Sequence, residues 1–508
     1  MWKLKCLCAI GSSASATRTW LSWPLMIGTL IFLWLILHPG LLNDGDTYWN
    51  IATGRWILDH GAVPATDPFS HTVRGQPWVV HTWLAAVLYA LVFDAGGWTG
   101  VVALTAACYA AALAILTRYL LRHLLPIRAL LCVAMALCLV APHMLARPHA
   151  LTIPLLVIWT IALVQAVELQ RAPPLWLVAV MVLWANLHGG FPVPLGLTAA
   201  FALEALLNAE ASARRAVVSR WAVFLLLVSL ATLLTPHGLD AWRFVYDQHQ
   251  MSFSLNTITE WKAPAFRGLE PLEIWLLAAA ALTLANGLRL PPIRIVLLLG
   301  LLHLALWHVR HGELLGLLAP IIVAQPLAAQ WGLASAAAQM PASVLDRQFA
   351  TLAQPARKLT QALTLLMLAV LSLSIGRTQL LQPAAAMSPA RAVAVGLAAK
   401  PPGPVLNAYE FGGYLIFVGI APSVDSRAVY GDAFQKRHYI ATVTRSPERL
   451  AEMLKESGIG WTLFIPAMPA VAAMDQMPGW RRLYADPVAV VHVRFSPGAS
   501  QPASNGPY

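Results

Sequence analysis

The stretch WLSWPLMIGTLIFLWLILHPGLLNDGDTYW, residues 20–49, decides the reading of this chain. Trp20 to Leu37 is almost wholly apolar and approaches the roughly 20 residues that a helix needs to cross a bilayer. Hydrocarbon offers no partner to backbone N–H and C=O groups, so such a run must be helical. His38-Pro39-Gly40 ends it, and soon afterwards Asp44-Gly45-Asp46 sets two carboxyl groups at the membrane surface. Lys3, Lys5 and Arg18 precede the run. A cleavable signal peptide has a shorter apolar core and a small-residue cleavage site, so the run reads as a retained signal anchor with its N-terminus inside.

The pattern recurs outward from this stretch. Of 508 residues, 58% are hydrophobic and 11% charged, against about 25% charged in soluble domains. Further apolar runs lie at Trp98–Thr117, Ile127–Val140, Leu151–Val167, Leu175–Leu187, Pro194–Leu207, Trp221–Leu234, Leu272–Ala285, Ile293–Trp307, Leu314–Ala329 and Leu363–Ile375. The total expected is about 11 transmembrane helices, the shorter of which need flanking residues to span. The sequence therefore predicts an α-helical polytopic membrane protein. Its formal charge of +11 is scattered between the runs, which suits cytoplasmic loops and excludes a nucleic-acid-binding stripe.

Val79–Phe93 sets the register. Counted as a crossing, it puts Arg118, Arg122 and Arg128 outside. Counted as a juxtamembrane or re-entrant helix, it puts them inside, together with Arg171, Arg214, Arg215, Arg220, Arg289, Arg294, Arg347, Arg357 and Lys358. The positive-inside rule prefers the second register. The expected organisation is a cytoplasmic N-terminus (1–19), a membrane domain (20–377) whose first outside loop is 38–97, an extracytoplasmic domain (378–498) and a disordered end (499–508). The stretch from Thr235 to Glu270 and the short turns Pro142–His149, Asn186–Pro192 and His308–Glu313 fall on the same outer side.

The tail reads as a small α/β unit. Val405–Tyr409, Tyr414–Val418, Trp461–Ile465 and Ala489–Val493 look like strands. Ser446-Pro447-Glu448, then Leu450, Met453 and Leu454 up to Gly458, reads as a capped amphipathic helix. The paired Gly412 and Gly413 suit a tight turn between strands. The alternative is that Tyr409, Tyr414 and Asp425-Ser426-Arg427 form an acceptor-binding surface. Cys6, Cys8, Cys108, Cys132 and Cys138 imply no disulfide framework.

Chemistry concentrates at Asp44 and Asp46. In an extended loop they project to one side, about 7 Å apart. Two such carboxylates can share a divalent cation, or one can take a proton. With ordinary pKa values of about 3.9, both start ionised. A solvated loop or an Asx-type helix cap is the plainer account. Tyr48, Trp49, Arg55 and Trp56 follow, then Gly61 to Ser70, Gln76-Pro77-Trp78, His81 and Trp83. This Pro-, Gly-, Asp- and Trp-rich loop looks built to fold over a site.

At these residues the chain resembles the GT-C superfamily of integral-membrane glycosyltransferases, in particular the group of protein mannosyltransferases and aminoarabinose transferases. Asp44 to Gly54, Gly61 to Ser70 and Trp78 to Leu84 carry the likeness. Trp184 to Phe191, Thr235-Pro236-His237-Gly238 and Glu260-Trp261 add to it. It departs at Asn50, where histidine is common, at Thr82, where glutamate is, and in Pro142–His149, which lacks a second acid.

The resemblance implies a sugar transfer from a polyprenyl-phosphate donor to an extracytoplasmic glycan, lipid or protein, with inversion, at the outer face of a bacterial inner membrane. Asp44 and Asp46 would supply the base and, as a pair, hold any divalent cation (Mg2+, Mn2+ or Zn2+). Arg147, His149, Asn186, His188, His237, Arg310 and His311 lie at outer helix ends where arginine can grip phosphate by paired hydrogen bonds. Tyr48, Trp49, Arg55, His81 and Glu260 complete the expected substrate-binding set. Snorkelling arginines and structural histidines are the competing account of these residues. The alternative function is a non-catalytic protein of the same architecture, acting in transport or assembly of lipid-linked glycans. A secondary transporter would have matched broken helices in two halves, and the sequence has no such symmetry.

Overall fold

The computed structural model describes residues 19–330, 344–378 and 381–495. The N-terminal basic residues, Cys6, Cys8 and the end expected to be disordered lie outside them. The membrane part runs α1 (Trp23–Ile36), α2 (Asp46–His60), α3 (Trp83–Leu120), α4 (Pro126–Val140), α5 (Ile153–Glu168), α6 (Trp176–Leu187), α7 (Pro192–Asn208) and α8 (Arg214–Ala231). It continues with α9 (Asp240–Gln250), α10 (Ser252–Thr257), α11 (Pro271–Asn286), α12 (Pro292–Trp307), α13 (Gly312–Gln330), α14 (Val344–Leu352) and α15 (Lys358–Thr378). Every apolar run named above is helical. Among the described residues, five helices are long and apolar enough to cross a membrane, and others are apolar but shorter.

Local chemistry sets several boundaries. Proline opens α4, α7, α11 and α12, where its missing N–H costs nothing. At 38 residues, α3 would be about 57 Å long if straight, nearly twice a bilayer's apolar thickness. It is not straight. Gly96 and Gly97 leave helical geometry, Gly97 at a φ of +58°, and Gly100 packs against the Val92 carbonyl so closely that no Cβ could fit. Most of the Val79–Phe93 stretch, from Trp83 on, thus becomes the first arm of a bent helix, packed on α2. Between α1, α3 and α15 lies an apolar groove of about 1420 Å3, lined by small residues such as Gly28, Ala110, Ser372 and Gly376.

Arg294, expected in a cytoplasmic loop, is instead 2% exposed in α12. It pairs with Glu204 of α7 at 2.9 Å and Glu168 of α5 at 3.6 Å, and donates to the Ile322 carbonyl of α13. Four helices meet on this one side chain. Removing one partner of such a buried pair typically costs about 3–5 kcal/mol.

The tail adds α16 (Ala390–Ala398), β1 (Val405–Asn407), α17 (Gly412–Phe417), α18 (Gly431–Val443), α19 (Pro447–Glu456), β2 (Trp461–Phe464), α20 (Pro469–Asp475), β3 (Trp480–Ala485) and β4 (Val490–Arg494). The strand order is β1-β2-β4-β3. The β1–β2 pair is parallel with Val405 opposite Trp461, and the other pairs are antiparallel. Phe411, Leu415, Leu463 and Val491 form the core on one face of the sheet. Leu450, Met453, Phe464 and Met474 form it on the other.

Three readings of the tail are corrected. Tyr414–Val418 is not a strand: it belongs to α17. The paired glycines do not make a turn between strands but open that helix, because they must pass close to other backbone. A Cβ on Gly412 would strike the Val424 carbonyl, and one on Gly413 the Gly45 carbonyl. The helix after Ser446 forms as expected, with Leu450, Met453 and Leu454 buried, but the Ser446 hydroxyl bonds Thr444 at 3.0 Å and does not cap. Strand β3 was not foreseen, since Arg481 and Arg482 interrupt its apolar pattern. Cys108, Cys132 and Cys138 are free thiols.

Candidate active site

The acidic pair is not an extended loop. Gly45 is the N-cap of α2 and Asp46 its first residue, a place where a carboxylate complements the exposed N–H groups of the helix. Asp44 Oδ1 accepts the Asp46 N–H at 2.9 Å. The two side chains face one guanidinium: Arg147 is in ion-pair contact with Asp44 and lies 3.6 Å from Asp46 Oδ2. Arg147 also donates to Glu260 at 2.5 Å, and Glu260 is 3.9 Å from Arg310. Arg310 stacks over the Trp261 ring at 4.5 Å.

The two aspartates differ. Asp44 is 5% exposed, with both oxygens engaged. Asp46 lines a polar cavity of about 130 Å3, together with Arg147, His149, His188, Arg310 and Ser426. Its Oδ1 accepts from Ser426 Oγ and from Trp49 Nε1, the latter at 3.2 Å, so Oδ2 is left toward Arg147 and the cavity. Burial raises the Asp46 pKa, and the Ser426 and Trp49 donors draw it back. Asp46 is therefore the member of the pair able to meet a substrate.

The histidines form a wall. His188 stands 6.4 Å from His81 and 6.3 Å from His149, ring centre to centre. His81 stacks on Phe244 at 4.2 Å. Burial pushes the His81 pKa down to about 4 and holds His188 well below its ordinary value, so both are neutral ligands or acceptors at physiological pH. His149 Nε2 lies 3.2 Å from the Tyr109 hydroxyl and 3.8 Å from Glu313, an acid 6% exposed.

Other expected residues are elsewhere. Tyr48 is buried against Trp98, Tyr414 and Phe417, its hydroxyl bonded to Ser388. It is packing, because on a helix the residue two after Asp46 faces away from the cavity. Arg55 pairs with Asp94 at 2.5 Å on an exposed flank. Asn186 ties α6 to the Leu234 carbonyl and accepts from Trp83 Nε1 at 2.7 Å. His237 accepts the Val80 N–H at 3.1 Å and so braces the Val79–Thr82 loop from behind. His311 bonds the Leu304 carbonyl at 3.2 Å. These five do not line the cavity. Trp49, His81, Arg147, His149, His188 and Arg310 do.

A divalent cation does not fit the pair as it stands. Arg147 supplies the counter-charge on the side where an ion shared by Asp44 and Asp46 would sit. Among the described residues no three or more His, Cys, Asp or Glu side chains form a metal-holding group.

Sequence reasoning missed what the tail brings. Ser426 touches Asp46 and Trp49 from 380 and 377 residues away. Its neighbour Arg427 lines the cavity while pairing with Asp67 at 2.6 Å and Asp425 at 2.7 Å, all three side chains at most 1% exposed. His71 and Thr72 bind Ser423. Asp432 caps α10 through the Phe253 and Ser254 N–H groups, each at 2.8 Å. The only available signal was the cluster Asp425-Ser426-Arg427, and nothing in it names a partner in the first loop. The two departures noted above meet here too: Thr82 Oγ1 donates to Asn50 Oδ1 at 3.3 Å.

No protein-family model matches the sequence, and no curated protein is similar to it by sequence alone. Its structure is similar to that of ArnT from Cupriavidus metallidurans, solved bound to undecaprenyl phosphate: 13% identity, 94% of this chain and 98% of that one, TM-score 0.50. It also aligns with the oligosaccharyltransferase of Archaeoglobus fulgidus in the apo form: 11% identity, 87% of this chain and 69% of that one, TM-score 0.47. A polytopic helical bundle capped by a small α/β tail, with an acidic pair where they meet, is the fold this chain shares with that ArnT structure.

Proposed function

We propose that the chain is a membrane glycosyltransferase that moves a sugar from a polyprenyl-phosphate donor to an acceptor hydroxyl, with inversion, at the outer face of a bacterial inner membrane. The observation that carries this reading is the cavity in which Asp46 faces Arg147 and Arg310. The structural likeness to ArnT, whose structure holds undecaprenyl phosphate, supports the donor class. N-terminus inside and tail outside is the orientation that the arginine distribution favours.

In this mechanism Asp46 Oδ2 takes the proton of the acceptor hydroxyl, and that oxygen attacks the anomeric carbon from the face opposite the phosphate. The bond from the anomeric carbon to the phosphate oxygen breaks, and its electron pair leaves with the polyprenyl phosphate. Arg147 and Arg310 balance the negative charge that develops there. Phosphate is a good leaving group at neutral pH, so a base and charge stabilisation are the main needs. Asp44 holds Arg147 and the start of α2. No step runs through a metal ion.

The competing reading, a non-catalytic binder of lipid-linked glycans, draws on the ion pairing of Arg147 with both aspartates, which leaves the pair already counter-charged within the protein. Mass spectrometry of surface glycans from a deletion strain separates the two. Loss of one defined sugar, restored by the wild-type chain and not by Asp46→Asn, is the outcome expected of a transferase. Full restoration by Asp46→Asn would leave only the binder.

A further inference from the structure

We infer that Ser426, delivered by the tail, is a positioning residue for Asp46, fixing one carboxylate oxygen so that the other is presented to the cavity. The inference rests on the proposed role of Asp46 as base. A short relay makes the contact: Trp49 Nε1 donates to Ser426 Oγ at 3.0 Å, and Ser426 Oγ donates to Asp46 Oδ1. Trp49 also reaches the same Asp46 oxygen at 3.2 Å.

Ser426 is held from both sides. Before it, Asp425 accepts from the Tyr430 hydroxyl at 2.7 Å and from the Arg427 N–H at 2.8 Å. After it, the Arg427 guanidinium is locked between Asp425 and Asp67. Gly412 and Gly413 let α17 come close enough to Asp425 and to Gly45 for this segment to reach α2. A hydroxyl at the end of so constrained a segment is placed by the fold and not by its own rotamer choice. An ordinary surface serine has no such supports.

The consequence is electrostatic as well as geometric. Hydrogen bonds donated to a carboxylate favour its ionised form, so the tail keeps the candidate base ready to accept a proton in a buried setting. Asp44, Arg147, Glu260, Arg310, Tyr409 and Asp425 are the other titratable or charged groups that face Asp46, and none of them is altered by a change at Ser426.

The test reads protonation directly. Purified full chain in lipid nanodiscs is treated with dicyclohexylcarbodiimide, which modifies carboxyl groups in their protonated form, and the Asp46 adduct is quantified by peptide mass spectrometry across pH. Ser426→Ala should raise the pH midpoint of Asp46 labelling by about one unit or more, since hydrogen bonds to charged groups are the stronger kind. Ser426→Thr, which keeps the hydroxyl, should match wild type, and labelling of Asp59 should be the same in all. Should Ser426→Ala fail to fold, Ser426→Cys has nearly the same shape and a much weaker donor, and it must still shift the midpoint. An unshifted midpoint in a folded variant overturns the inference. Because labelling needs no turnover, it is separable from the transferase reading: a shifted midpoint with a fully active Asp46→Asn sinks only that reading.

Discussion

At the scale of single residues, Asp44 and Asp46 carry unequal burdens despite their symmetry in sequence. Asp46→Asn keeps size and hydrogen bonding but removes the proposed base, and general-base contributions are about 100- to 10,000-fold. Turnover should fall by that factor, measured against protein abundance by quantitative immunoblot of the same membranes. Asp44→Asn should act differently. It loosens Arg147 and the start of α2, so the loss should appear in donor KM and in thermal stability as well as in rate. Asp59→Asn, exposed in the same helix, should leave both unchanged. The acidic pair was legible from its position after the first apolar run. The direction of each side chain was not, because period and spacing do not say that the second acid begins a helix. Tyr48 and Arg55 show the same limit: both lie in the right segment, and the turn of α2 points them away.

At the scale of elements, helices were easy and their partners were not. Apolar runs such as Leu151–Val167 announce α5 because nothing but a helix satisfies a backbone in hydrocarbon. Strand β3 was hidden because it is an edge strand with one polar face, and edge strands carry charge by design. The glycines of α17 were read as a turn because glycine's tolerance of a positive φ is its commonest use, whereas here its missing Cβ is what matters. Gly413→Ala would push α17 off the Gly45 carbonyl and carry Ser426 away from Asp46. Displacements of about 1 Å at a reacting centre can cost on the order of 100-fold. Activity of that variant should drop by a comparable factor, while circular dichroism of the purified protein stays that of wild type. If its turnover equals wild type, the close approach has no bearing on the site.

At the scale of the whole molecule, the tail has its own sheet and its own cores on both faces, so residues 389–494 should unfold cooperatively when expressed alone. Their stability should depend on pH in a definite sense. His438 is 4% exposed and donates to the Asn407 carbonyl, and burial pushes its pKa down to about 4. The unfolded chain, with an ordinary histidine near 6.5, binds the extra proton first. Stability is therefore full above about pH 6.5 and falls as pH drops toward 4, by up to about 1.4 kcal/mol per unit for this one group. His492, also lowered, adds to the slope, whereas carboxylates such as Asp475 act only below about pH 4. Urea midpoints at pH 7 and pH 5 measure this, and His438→Gln should flatten the slope. A fragment equally stable at both values would count against histidine burial as the cause.

The contact between Ser426 and Asp46 also sets an order of events in biosynthesis. Asp46 enters the membrane region early, and the hydroxyl that steadies it is made 380 residues later. At roughly 5–20 residues per second, a ribosome needs about 20 to 80 s to close that gap. Throughout that interval the nascent chain holds an acidic pair, an arginine and a lipid-facing bundle without a finished centre. On the transferase reading proposed above, a truncated or stalled product would sit in the bilayer inert, and only a chain translated past its latch could begin to work.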